Sequence, residues 1–113
     1  MVRDRCFSVK NAVILQALRH LKTSQRTAIL RHADSNLIRC ICECALNVLN
    51  GNVSLNSSQK QKLRKFAPSL RKIASPKGSW SSKRKLIVQK GGFLPHLLAA
   101  LATIIASVIS HSR

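Results

Sequence analysis

The sequence predicts an all-α fold, a small bundle of short helices with a basic linker and an apolar C-terminal helix. Apolar residues recur at three- and four-residue spacing in several segments, which is typical of helices with one buried face. Ser, Asp or Asn, the usual helix N-caps, precede several of these segments. No segment combines alternating apolar and polar residues with a hairpin turn, so strands are not expected.

Three helices are expected in the first half of the chain. They span residues 7–21, 23–30 and 35–50. Ser8 is the expected N-cap of the first helix, and either Asp34 or Ser35 can cap the third. Gly51 lies between two asparagines and should end the third helix, because glycine accepts the left-handed conformation that closes helices.

The sequence of the second half of the chain predicts shorter helices, which are separated by loops or glycines. They span residues 57–67, 69–74, 83–90 and 93–109. Leu55, followed by the polar run at 56–58, indicates a hydrophobic staple and an N-cap. Pro68 suits the first turn of the next helix. Residues 75–82 contain proline, glycine and four serines, which favours a loop or linker.

Charged residues divide the chain into three parts. All three acids lie within the first 43 residues, and residues 91–112 contain no Lys, Arg, Asp or Glu. Between these parts, residues 60–90 contain many cations and no acid. We therefore expect a helical domain at 1–75, a basic linker with a short helix at 76–92, and an apolar C-terminal helix at 93–113. The 113 residues suffice for one domain at most.

The net charge predicts a polyanionic partner. Twenty Lys and Arg residues against three acids give +17, and a charge that high repels itself in a compact chain. Double-stranded DNA is the expected partner, RNA is an alternative, and an anionic membrane is a third candidate. The expected phosphate contacts are Lys60, Lys62, Arg64, Lys65, Arg71, Lys72, Lys77, Lys83, Arg84, Lys85 and Lys90. A solvated helix face is the other interpretation, although such faces normally mix both signs of charge.

Nothing in the sequence predicts base-specific recognition. We find no zinc-finger spacing, RNA-recognition motif or aromatic platform. Trp80 lies among serines and lysines and has three interpretations. It stacks on a base, enters a membrane interface, or packs on the domain itself.

The apolar tail from Phe93 to Ile109 predicts a helix about 26 Å long, near the lower limit for a membrane span. Its large apolar residues are Phe93, Leu94, Leu97, Leu98, Leu101, Ile104, Ile105 and Val108. Packing in the core, self-association and membrane binding are the three interpretations of this tail. His96 interrupts the apolar face, so its protonation at about pH 6 would weaken membrane insertion.

The cysteines and acids favour no catalytic or metal site. Cys40, Cys42 and Cys44 form a C-x-C-x-C run, but the second pair that a structural zinc site needs is missing. We interpret them as small apolar residues of a buried helix, with a disulfide to Cys6 as the alternative. The N-terminus lacks the pattern of a classical secretory signal, which favours free thiols in a reducing compartment. With scattered acids and no glycine-rich phosphate loop, we expect no enzymatic activity, cofactor or metal.

Four motifs, in order, carry a family resemblance. They are CECALNVLNGN at 42–52, QKQKLRK at 59–65, LRKIA at 70–74 and KRKLIVQKGGFL at 83–94. Over residues 35–110 the chain resembles small basic proteins of adintoviruses and Polinton (Maverick) elements, which are similar to adenovirus core protein X. The resemblance implies a DNA-condensing virion core protein with an apolar C-terminal segment, located in the virion or the host nucleus.

The same resemblance implies proteolytic processing. Adenovirus-type maturation proteases cut around Gly-Gly, with an apolar or amide residue two positions before the first glycine. Gly91-Gly92, preceded by Gln89 and Lys90, presents such a pair. Cleavage there would release the apolar tail from the basic part. A simple helix break at Gly91-Gly92 is the alternative interpretation.

Overall fold

The computed structural model of the chain describes residues 8–110. Helices account for most of these residues, and no strand occurs among them. The helices are α1 (Val9–His20), α2 (Thr23–Arg31), α3 (Ser35–Leu49), α4 (Ser57–Arg64), α5 (Ala67–Ala74), α6 (Trp80–Lys90), α7 (Leu94–Ala100) and α8 (Ala102–Ser110). A 3-10 turn, Gly91–Phe93, connects α6 to α7. The predicted all-α class is confirmed.

Local side-chain hydrogen bonds fix several helix N-termini. The Ser8 hydroxyl accepts a hydrogen bond from the backbone N–H of Asn11 at 3.1 Å, and Asp34 Oδ1 accepts one from Leu37 at 2.9 Å. Asn56 and Gln59 form a reciprocal capping box at the start of α4. Each cap satisfies an N–H that the first helical turn leaves without a partner.

The core is a single cluster built around α3. This helix packs against α5, α6 and α7, while α1 packs against α7 and α8. Its fully buried side chains include Ile38 and Ile41, together with Cys40 and Cys44. Burying each large apolar side chain of this kind stabilises the fold by about 1.5–3 kcal/mol.

The C-terminal segment belongs to this core. Phe93, Leu94, Leu97, Leu98, Leu101 and Ile105 are buried in the same cluster as the residues of α1 and α3. Ile104 and Val108 pack against it as partly buried residues. Residues of the expected helical domain, linker segment and tail thus contribute to one core cluster.

Several predicted helices have different bounds in the structure. The helix expected to reach Ala67 ends at Arg64, and the helix expected from Ser69 begins at Ala67. The helix expected from Lys83 begins at Trp80 instead, because the Ser79 hydroxyl accepts a hydrogen bond from the Ser82 N–H at 3.1 Å and caps it. The expected continuous tail helix is two helices, α7 and α8, which meet at Leu101. The Leu101 side chain is fully buried. Both halves pack against α1.

Within residues 8–110 no individual helix combines the length and apolarity needed to cross a bilayer. Trp80–Ala100 and Ala102–Ser110 have the length and apolar composition of a membrane span only when they are taken together, and the two stretches are bent by 61° relative to each other.

Candidate nucleic-acid interface

Helix α4 and its C-cap residue, Lys65, carry the densest group of predicted phosphate contacts. Lys60, Lys62, Arg64 and Lys65 are all exposed, whereas Leu63 is buried in the core. A helix of two turns with one buried residue leaves most of its circumference to solvent. Its four cations therefore remain available to an external anion.

Helix α5 repeats this arrangement. Arg71 and Lys72 are exposed, and they lie between the buried Leu70 and Ile73. Of the remaining predicted contacts, Lys77, Lys85 and Lys90 are exposed as well. The exposed contacts are thus Lys60, Lys62, Arg64, Lys65, Arg71, Lys72, Lys77, Lys85 and Lys90.

Lys83 and Arg84 differ from the others, because both are half-buried and bind within the protein. The Lys83 ammonium group donates a hydrogen bond to the Ser75 carbonyl oxygen. The Arg84 guanidinium lies 5.0 Å from the centre of the Trp80 ring, and its Nη1 donates to the Ala33 carbonyl oxygen at 3.4 Å. Arg84 therefore joins α6 to the segment before α3. No local sequence pattern predicts this contact, because Ala33 is 51 residues away.

The structure brings three of the predicted lysines together. Lys72, Lys77 and Lys83 line one hollow of about 420 Å³, which we call the lysine hollow. Its other walls are Ser75, Gly78, Ser82 and Leu86. Because no acid lines this hollow, its electrostatic potential favours an anion.

A larger groove adjoins the hollow, and sequence reasoning missed it. This Trp80 groove has a volume of about 700 Å³ and lies between α3, α5 and the start of α6. Its lining includes Ile38, Arg39, Cys42, Glu43, Leu46, Ile73, Pro76 and Trp80. Trp80 itself is half-buried and packs against the core, as one of the three interpretations expected. The proline and glycine of residues 75–82 predicted a loop, and no pattern in the sequence indicated a groove.

A second cluster links α4 to the C-terminal segment. His96 of α7 stacks on Phe66, with ring centres 6.0 Å apart and planes inclined by 24°. Burial lowers the pKa of His96 below its ordinary value, and the positive charges of Lys62 and Lys65 lower it further. The predicted basic segment thus reaches the C-terminal helices through α4.

The Gly-Gly pair lies in a compact connection. Gly91 is half-buried, Gly92 is exposed, and the next residue, Phe93, is fully buried. A protease needs several residues in extended form, whereas here a 3-10 turn stands between two helices. Cleavage at this pair therefore requires local unfolding of the turn.

The three cysteines of α3 are placed as small apolar residues. Cys40 and Cys44 are fully buried, and Cys42 is half-buried. Burial raises the pKa of Cys42 to about 11, although the charge of Lys83 opposes this shift. A thiol with this pKa is protonated at neutral pH and is a poor nucleophile. Cys6 and His111 lie outside the described residues.

In residues 8–110 no three His, Cys, Asp or Glu side chains lie close enough together to hold a metal ion. No protein-family model, curated protein or solved structure matches the chain.

Proposed function

We propose that the protein binds nucleic acid through its phosphates, without sequence specificity, and that many copies condense double-stranded DNA. The exposure of nine cations between Lys60 and Lys90, in a stretch that contains no acid, carries this proposal. A polyanion such as DNA is the partner that these exposed cations favour, because each cation near a phosphate releases condensed counterions. The net charge of +17 matches the phosphates of about eight base pairs.

The family resemblance supports a role as a virion or endogenous-virus core protein, in the virion or the host nucleus. Such a protein needs uniform binding to any sequence, which phosphate contacts alone supply. The buried tail supports the same view, because its apolar residues stabilise the fold that displays the cations. Membrane activity would require the tail to leave the core, exposing Phe93 and Leu97, which are both fully buried.

A salt titration of binding to random duplex DNA tests the proposal. With six to ten phosphate contacts, affinity should fall by about 10³–10⁵-fold between roughly 50 and 200 mM salt. Changing Lys60, Lys62, Arg64 and Lys65 together to Gln should weaken binding and reduce the slope of log affinity against log salt by about 3 to 4.

The matched control removes four exposed cations elsewhere. Lys10, Arg19, Lys22 and Arg31 lie on or beside α1 and α2, and changing them to Gln removes the same charge. This control should change the slope far less than the α4 variant. Equal effects of both variants would show that net charge alone drives binding, and absent binding at low salt would refute the proposal.

A further inference from the structure

The loop between α5 and α6, residues 75–79, separates two depressions of different chemistry. On one side lies the lysine hollow and on the other the Trp80 groove. Ser75, Gly78 and Lys83 line both of them. A ligand that passes over this loop can therefore occupy the two depressions at once.

The lysine hollow has the chemistry of a phosphate site. Lys72 and Lys77 are exposed at its rim, while Lys83 is held in its wall by the hydrogen bond to Ser75. An ammonium group has three N–H donors, so Lys83 retains two for a ligand. The hollow also lies beside the first turn of α6, where the helix dipole favours negative charge.

The Trp80 groove has the chemistry of a site for a flat, partly apolar group. Its volume of about 700 Å³ is within the range of small-molecule pockets, about 300–1,000 Å³. The indole of Trp80 and the side chains of Ile73 and Pro76 provide apolar surface. The exposed Arg39 also lines the groove, and its guanidinium group supplies hydrogen-bond donors. This combination suits a nucleobase, which needs a stacking surface and partners for its edge.

We propose that the two depressions form one site for a nucleotide whose base is unpaired. Its phosphate binds in the lysine hollow, and its base lies in the groove against Trp80. The inference rests on the proposed function and adds a preference to it, namely for single-stranded segments over intact duplex. A paired base would first have to leave its stack, which costs a few kcal/mol.

Trp80 is the only tryptophan and the chain has no tyrosine, so intrinsic fluorescence reports directly on the groove. Titration with a short oligothymidylate should quench this fluorescence. Inorganic phosphate should leave the fluorescence unchanged, and it should displace the oligonucleotide more effectively than NaCl at equal ionic strength. Oligonucleotide binding without any change in Trp80 fluorescence would overturn the proposed site.

Paired charge variants test the hollow. Changing Lys72 and Lys77 to Gln should weaken oligothymidylate binding at least ten-fold more than changing Lys85 and Lys90 to Gln. All four side chains are exposed and both pairs remove two charges, so non-specific attraction predicts equal losses. Circular dichroism checks that both variants keep their helical content.

The outcomes separate the site from the general function. If the Lys72/Lys77 and Lys85/Lys90 variants lose oligothymidylate affinity equally but still bind, the site is rejected and non-specific binding remains. Failure of the unmodified protein to bind either single-stranded or duplex DNA at low salt would reject both. Tighter binding to duplex than to the single strand of equal length would also contradict the site.

Discussion

His96 occupies the place where α7 meets the first basic helix. Its ring stacks on Phe66, and the charges of Lys62 and Lys65 act on it. A folded-state pKa below the ordinary 6.5 means that the unfolded chain binds a proton more readily. His96 therefore has no destabilising effect above about pH 6.5, and it destabilises the fold as the pH falls below that value.

A proton NMR titration can test this assignment. The His96 ring should titrate below pH 6.5, and changing Lys62 and Lys65 to Gln should raise its pKa toward that value. The His96→Gln variant identifies the resonance and should reduce the loss of thermal stability between about pH 7 and 5.5. A pKa of His96 at or above 6.5 would contradict the packing described.

Lys83 and Arg84 mark the limit of sequence reasoning at single residues. Both belong to the predicted basic segment, but each binds a backbone carbonyl outside its own helix. Lys83 binds Ser75, at the other end of the 75–79 loop, and Arg84 binds Ala33, which is 51 residues away in sequence. The exposure of the cations on α4 and α5 could be predicted, because the apolar residues Leu63, Leu70 and Ile73 mark the faces of these helices that turn to the core. Which lysines share a hollow depends on how α5 and α6 pack, and no local pattern contains that information.

At the scale of elements, the signals that act within one turn were the most predictive. The caps at Ser8 and Asp34 formed as expected, since their hydrogen bonds reach only three residues along the chain. The start of α6 depends on a cap of the same kind, in which the Ser79 hydroxyl accepts a hydrogen bond from the Ser82 N–H, but the proline, glycine and serines around it favoured a loop. The break at Leu101 could not be predicted. Tertiary packing decides the break, because a bend lets apolar side chains on several faces of the tail reach the core.

Gly51 provides a test of the stop signal after α3. Its φ of 74° lies in the left-handed region, and no atom lies within 4 Å of an added Cβ. Gly51→Ala should therefore lower the free energy of unfolding by about 1 kcal/mol through backbone strain alone. Chemical denaturation measures the change, and Gly51→Asn should cost less, since asparagine tolerates this conformation better.

Gly91→Ala is the matched control for that prediction. Gly91 does not have a left-handed φ, and an added Cβ would meet only Ile87, at an ordinary contact distance of 3.9 Å. We expect this variant to change stability by less than about 0.5 kcal/mol. A cost equal to that of Gly51→Ala would mean that the left-handed φ does not determine the result at Gly51.

For the whole molecule, one core makes the three charge-defined segments interdependent. Removing everything after Gly92 would take away Phe93, Leu97 and Leu101, all fully buried, and would expose the faces of α1 and α3 that they cover. Large-to-small changes at such positions cost about 2–5 kcal/mol each, comparable to the total stability of a small domain. Any cleavage at Gly91-Gly92 would therefore alter the basic surface as well as release the tail.

The charge of the whole molecule also sets its stability. The described residues extend over 35 × 32 × 28 Å, and at about 10 mM salt the screening length of about 30 Å spans nearly all of this. Most of the cations then repel one another, whereas at about 150 mM the screening length is about 8 Å and only near neighbours interact. The melting temperature should therefore rise by several degrees between about 10 and 150 mM NaCl, while DNA affinity falls over the same range.

The variant with Lys60, Lys62, Arg64 and Lys65 changed to Gln should melt higher than the unmodified protein at low salt and gain less from added NaCl. Because added polyanion replaces salt as the screening agent, short duplex DNA at low salt should raise the melting temperature too. A melting temperature that falls with NaCl would mean that attractive charge pairs outweigh repulsion, in which case the cations serve the fold itself and not an external anion.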